Sequence, residues 1–362
     1  MTRRRAATGL AGLLAIALVG GGLVFGEQAV WLARAGLHQA ELLWGRVPIE
    51  DAIAAGHYDE AQVHQLRLVP EIKAFGRDIG LSATENYDTI NPTWDRTIYN
   101  VSASPPLALE NERWWFPVVG SVPYLGFFDE ESAEAFGDGL RAEGMDVYVR
   151  TAGAYSTLGW FRDPVMPGML KWPEYQFANT ILHELAHATV WVPGSVQFNE
   201  SFANFVGDEA SRRYMLAKYG EGSPEVESMR ARIADGDRYR RVMHDVYRDL
   251  EALYADPALG DDAKLAQKAL VFASLPNRID GAGFAEPQRW KDALAKRTWN
   301  NATMMQFRVY NRSREWFQAL YEAEGSDLLR FMHRVPEVTR GASDPYAALA
   351  EAVGADPESE AP

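Results

Sequence analysis

Apolar residues recur at helical spacing over most of the chain. Ala29, Leu32, Ala33, Leu37, Ala40, Leu43 and Trp44 share one face until Gly45 and Pro48 break the run. Pro48-Ile49 opens a second helix through Ala55, and residues 61–75 form a third, interrupted at Pro70. Between residues 91 and 160 the character changes. Residues 94–103, 113–119, 124–128 and 146–155 are rich in β-branched and aromatic side chains and predict strands. A short helix over 130–143, stopped by Gly144, separates two of them. The helical period returns after Pro173, with Phe177, Ile181, Leu182, Leu185 and Ala186 on one side and Pro193-Gly194 as the stop. Asn199 is the expected cap of the next helix, in which Phe202, Ala203, Phe205 and Val206 face inward. Further helices are expected over 223–254, 261–275, 287–300, 304–324 and 327–335. The pattern as a whole is α+β, mainly helical, with a small, mostly antiparallel sheet leading into the helix after Pro173.

The chain ends read differently. Arg3, Arg4 and Arg5 precede an uncharged apolar run from about Leu10 to Phe25, so residues 1–26 are expected to be a secretory signal peptide or an uncleaved signal anchor. The arginines would stay in the cytoplasm, which places the rest on the periplasmic side of a bacterial inner membrane. A single domain is expected over 27–352: helical to 90, sheet-containing to 165, then helical again. The polar, acidic stretch 353–362 is expected to be a disordered tail.

Charge and cysteine content narrow the chemistry. A net charge of −14 argues against nucleic acid as a partner, because phosphate binding needs a basic footprint. No cysteine is present, which excludes disulfides, thiolate metal sites, thiol catalysis and a lipid-modified cysteine.

One stretch carries recognisable chemistry. His183-Glu184-Leu185-Ala186-His187 is an H-E-x-x-H motif in the middle of a helical pattern. Residues four apart share a helix face, so both imidazoles can address one point. Two neutral imidazoles, one carboxylate and an open position for water make the ligand set of a catalytic zinc, and one Zn2+ per chain is expected. Glu184 can then act as general base towards that water. No histidine follows before His244, so the third ligand has to be an acid, and Glu200 and Glu209 are the candidates. Glu200 is preferred, because it opens a helix directly after a loop long enough to turn the chain back. Asn204, one turn on, could hold a ligand imidazole by an outer-shell hydrogen bond. Tyr155, Tyr310 and His244 are candidates to stabilise an oxyanion, and Tyr155 is placed in the substrate cleft. The strand over 146–155 could offer an edge to which an extended peptide adds. His57 and His64 lack a carboxylate at ligand spacing and are expected to be structural or solvent-facing.

Several blocks, in order, carry a family resemblance: QAELLWGRVPI (39–49), WWFPVVGSVPYLGFFD (114–129), DVYVRTAGAYSTLGWFRDPV (146–165), LHELAHATVWV (182–192) and FNESFANFV (198–206). Together they resemble the bacterial predicted, or putative, aminopeptidases, zinc proteins of the gluzincin type. The resemblance implies a zincin-like core, zinc ligands at His183, His187 and Glu200, and a base at Glu184. Many members have Gln after the second histidine, where this chain has Ala188, and many look like lipoproteins, which the lack of Cys rules out here. No G-x-M-E-N segment is present to anchor a substrate α-amine, which favours peptide hydrolysis in general over amino-terminal trimming. The expected function is a zinc peptidase acting on peptides or proteins outside the cytoplasm. A non-enzymatic, metal-stabilised envelope scaffold and a cell-wall peptide amidase are the alternatives.

Overall fold

The computed structural model describes residues 41, 43–94, 97–116, 120–151, 162–311 and 313–357. The expected targeting segment, residues 1–26, and the last five residues of the expected tail lie outside these. Among the described residues no helix is long and apolar enough to cross a membrane.

The chain is mainly helical, with small antiparallel sheets. β1 (Val47–Pro48) leads into α1 (Ile49–Ala54) and α2 (Glu60–Asp78), and pairs with β2 (Thr89–Ile90). Asp59 and Gln62 close the N-terminus of α2 as a reciprocal capping box, with Gln62 N donating to Asp59 Oδ1 over 2.8 Å. The expected interruption at Pro70 does not occur: α2 runs through it. Proline removes one helical hydrogen bond, but Leu66, Val69 and Ile72 around it are fully buried, and that packing holds the helix together.

The principal sheet has the order β6–β3–β7, all antiparallel, from β3 (Tyr99–Ser104), β6 (Leu125–Phe127) and β7 (Asp146–Thr151). β4 (Trp114–Phe116) and β5 (Gly120–Val122) form a separate ribbon. β3 and β6 are shorter than their sequence patterns, and residues 117–119 and 152–155 of the other two patterns lie outside the described residues. Trp94 lies outside β3 and is instead buried edge-on against Phe128, with ring centroids 5.9 Å apart. α3 (Glu130–Ala142) covers one face of the sheet and is stopped by Gly144 in the left-handed region at φ +84°. Along β7 the side chains alternate: Val147 and Val149 meet α3 at Gly137, whereas Tyr148 and Arg150 point to the opposite face.

A 3₁₀ turn (Pro167–Lys171) then leads into α4 (Glu174–Thr189) and α5 (Val196–Tyr219). α6 (Pro224–Ala255), α7 (Asp261–Ala273), α8 (Leu275–Gly281), α9 (Pro287–Ala295) and α10 (Asn301–Asn311) follow. α11 (Arg314–Ala323), α12 (Leu328–Val338) and α13 (Pro345–Ala352) complete the described chain. The single helix expected over 304–324 is two helices, because Ser313 takes a left-handed conformation at φ +54° between them.

Packing follows the periodic apolar positions. Phe198, Phe202 and Phe205 lie four and then three residues apart on α5 and meet Phe317 of α11 and Phe331 of α12. This core also takes in α2, α4 and α13. A second cluster joins α6 through α10, and a third joins the principal sheet to α3.

Candidate metal centre

α4 and α5 form a tight helical hairpin joined by residues 190–195. The cap of α5 is Ser195, whose hydroxyl accepts from Phe198 N over 3.3 Å, and not Asn199. Asn199 is fully buried inside the first turns and fastens the connection instead. Its Oδ1 accepts from Val192 N over 2.7 Å, while its Nδ2 donates to Val192 O and Ser195 O over 2.8 and 2.9 Å. Backbone groups turned away from water need such partners, and one side chain supplies three.

Further along, the two helices touch at Gly207. A Cβ there would stand 3.1 Å from both Asn179 O and the His183 Cβ. Gly207→Ala is therefore expected to push α5 away from His183 and to destabilise the protein by about 1–3 kcal/mol. Urea unfolding measures this, and an unchanged midpoint would show that the contact has room to give.

The antiparallel run of the two helices sets Glu200 opposite the motif histidines. His183 Nε2 and His187 Nε2 are 3.1 Å apart, and each lies 3.6 Å from a different oxygen of the Glu200 carboxylate. All three side chains are largely buried. Tetrahedral zinc with ligands at about 2.0–2.1 Å requires donor atoms about 3.3 Å from one another. The shortest separations lie on either side of that value, those to Glu200 running to its two different oxygens, so the three side chains could hold a metal ion of about this size.

The protonation pattern belongs to a site that attracts a cation. Burial alone would lower the pKa of His183, but contact with Glu200 and the charges of Glu184, Glu200 and Asp208 outweigh it and raise the value. Burial, and then the charge of His183, pushes His187 down to about 4. Burial would raise the Glu200 carboxyl, yet His183, His187 and Arg150 together hold it below its usual range. The His187 Nδ1 is buried with no hydrogen-bond partner, so the outer-shell bond considered for Asn204 is not made to that ring. With its proton on Nδ1, this imidazole turns the Nε2 lone pair towards the other two donors.

The remaining candidates are dispersed. Glu209 is held by Arg212, Arg213 and the Tyr321 hydroxyl, at 2.7–2.9 Å from each, and takes no part in the cluster. His244 sits on α6 between Met243 and Val246 of the second core. His57 and His64 are exposed, as expected. Tyr155 and the side chain of Tyr310 lie outside the described residues.

Two residues near the centre were not assigned from sequence. Tyr87 is fully buried in a left-handed backbone conformation (φ +64°), and its hydroxyl has no hydrogen-bond partner. Burial, followed by the charges of Glu184 and Asp163, keeps that hydroxyl protonated well above the usual tyrosine range. Nothing in its neighbourhood, Asn86-Tyr87-Asp88, signals a positive φ. Arg150 was inside a quoted strand but had no role; as the one basic side chain among Val147, Tyr148 and Val149, it carried a readable signal.

Residues 30–345 match a protein-family model described as putative aminopeptidase. No match was found among curated proteins or among solved structures.

Proposed function

The chain belongs to the putative aminopeptidase family, and we propose that it is a zinc-dependent peptidase with a zincin-like core of the gluzincin type. The observation that carries this is the convergence of His183, His187 and Glu200, one donor atom from each within 4.8 Å of the others, with Glu184 beside His183 on the same helix. A zinc ion held there would supply Lewis acidity, lowering the pKa of a water towards about 7 and polarising a carbonyl. Glu184 takes the proton from the attacking water and passes it to the leaving amine. Glu200 and the two imidazoles hold the ion, and Gly207 with Asn199 keeps their helices in register.

The outer edge of β7 supports the substrate assignment. β7 pairs with β3 on one side only among the described strands, which leaves main-chain groups to receive an extended peptide. Tyr155 is proposed to line the same cleft. The basic, apolar segment of residues 1–26 supports a position on the periplasmic side of the membrane, anchored or released.

The experiment is hydrolysis of a mixed peptide pool by protein stripped with a chelator and then given zinc. Cleavage is expected only after zinc is added. Cleavage that is indifferent to chelation would remove the proposal, and zinc binding without any cleavage would favour the scaffold alternative.

A further inference from the structure

A cleft of about 600 Å³ lies along the outer edge of β7, between α3, α10 and the loop after α9. Its charge is opposite to that of the protein. Arg141, Arg150, Lys296 and Arg297 line it, with Glu134 as the one acidic residue among the described lining residues, in a chain of net charge −14. Arg141 is engaged by Glu134 and Asp138 at 3.0 and 2.7 Å. The Arg150 Nε, by contrast, is buried without a partner. Gln306 on α10 is about nine-tenths buried, and its side-chain nitrogen is likewise unpartnered. The far wall is aromatic and braced, with Tyr239 edge-on to Phe307 at 5.7 Å. Buried donors left without acceptors are costly, and an acceptor-bearing ligand offsets that cost.

The cleft is closed at one end. Arg150 is near enough to Glu200 for its charge to help lower that carboxyl. At the closed end, Asn300 Nδ2 donates to Val147 O over 2.8 Å. Groups on a strand edge point outward at every second residue, so the main-chain groups of Val149 and Thr151 face the same way as the Val147 carbonyl. A peptide added along β7 can pair at Val149 and Thr151, but it meets Asn300 at Val147 and has to end or turn away there. Lys296 and Arg297 stand four and three residues before Asn300, on the same loop. That loop is fastened to β7: Asp146 accepts from Asn301 N over 2.7 Å and pairs with Lys268.

We propose that this cleft receives the C-terminal carboxylate of the peptide substrate, with Arg150, Gln306 and Arg297 as its recognition groups. The proposal rests on the peptidase reading and narrows it to short peptides bound antiparallel to β7. Arginine suits this task, because its planar fork matches a carboxylate.

Calorimetric titration of the zinc-loaded Glu184→Gln protein tests this without turnover. The probes are a Leu/Ala hexapeptide with a free C-terminus, its C-terminal amide, and the amide carrying Glu or Gln at the fifth position. The free acid is expected to bind at least tenfold more tightly than the amide. Arg150→Gln should erase that difference, and Arg297→Gln, on an exposed loop, should reduce it about threefold. Equal affinity for acid and amide, or discrimination that survives both replacements, overturns the proposal. Tightening by the Glu side chain and not by the free terminus also overturns it, in favour of an acidic side chain. Hydrolysis by the wild type is scored separately. Discrimination without hydrolysis leaves the cleft standing and removes the peptidase reading, whereas hydrolysis without discrimination does the reverse.

Discussion

Replacing Glu184 by glutamine is expected to lower peptide hydrolysis by about 10²–10⁴-fold while leaving zinc content unchanged. Glutamine keeps the size and hydrogen-bonding shape of the side chain but cannot accept a proton at neutral pH. Glu184 is only 9% exposed and adjoins His183 on α4, so the replacement disturbs little packing. Its charge contributes to raising His183, so a modest change in zinc affinity is also expected. The assay compares kcat and bound zinc in the two proteins. Full activity in a zinc-loaded variant would show that Glu184 is not the base.

The second large effect belongs to Glu200. Glu200→Ala removes one of three ligands and leaves His183 and His187 facing a void. Loss of an outer-shell partner costs metal sites about 10–100-fold in affinity, and loss of a ligand should exceed that. Zinc competition with a coloured chelator should therefore show no tight site in Glu200→Ala, together with loss of hydrolysis. Glu209→Ala is the matched control. Its carboxylate is already committed to Arg212, Arg213 and Tyr321, so that variant should keep its zinc even if it is less stable. The reverse outcome, with zinc retained in Glu200→Ala and lost in Glu209→Ala, would reassign the third ligand.

The parts of this site that sequence reveals are those set by periodicity. Four-residue spacing puts His183 and His187 on one helix face, and the apolar positions 202, 203, 205 and 206 predict which side of α5 is buried. Glu200 then falls on the helix that returns beside the motif. What periodicity does not contain is close approach. Gly207 is one small residue in a helical run, and only the packed hairpin shows that it abuts His183. Asn199 illustrates a second limit: an asparagine before a helical pattern signals a cap, yet here it bonds backward to the loop, and Ser195 caps. Pro70 and Ser313 fail in opposite directions. Tertiary burial carries α2 through a proline, whereas an ordinary serine at positive φ divides α10 from α11. The Arg150 cleft depends on segments some 150 residues apart and has no local signature beyond the arginine itself.

The central claim is that these three side chains hold a zinc ion on which peptide hydrolysis depends. Titrating zinc into chelator-stripped protein while following cleavage of the peptide pool tests it most directly. Activity should rise in proportion to added zinc and level off at one equivalent per chain. Activity present before zinc is added, or zinc taken up at one equivalent with no hydrolysis, would contradict the account.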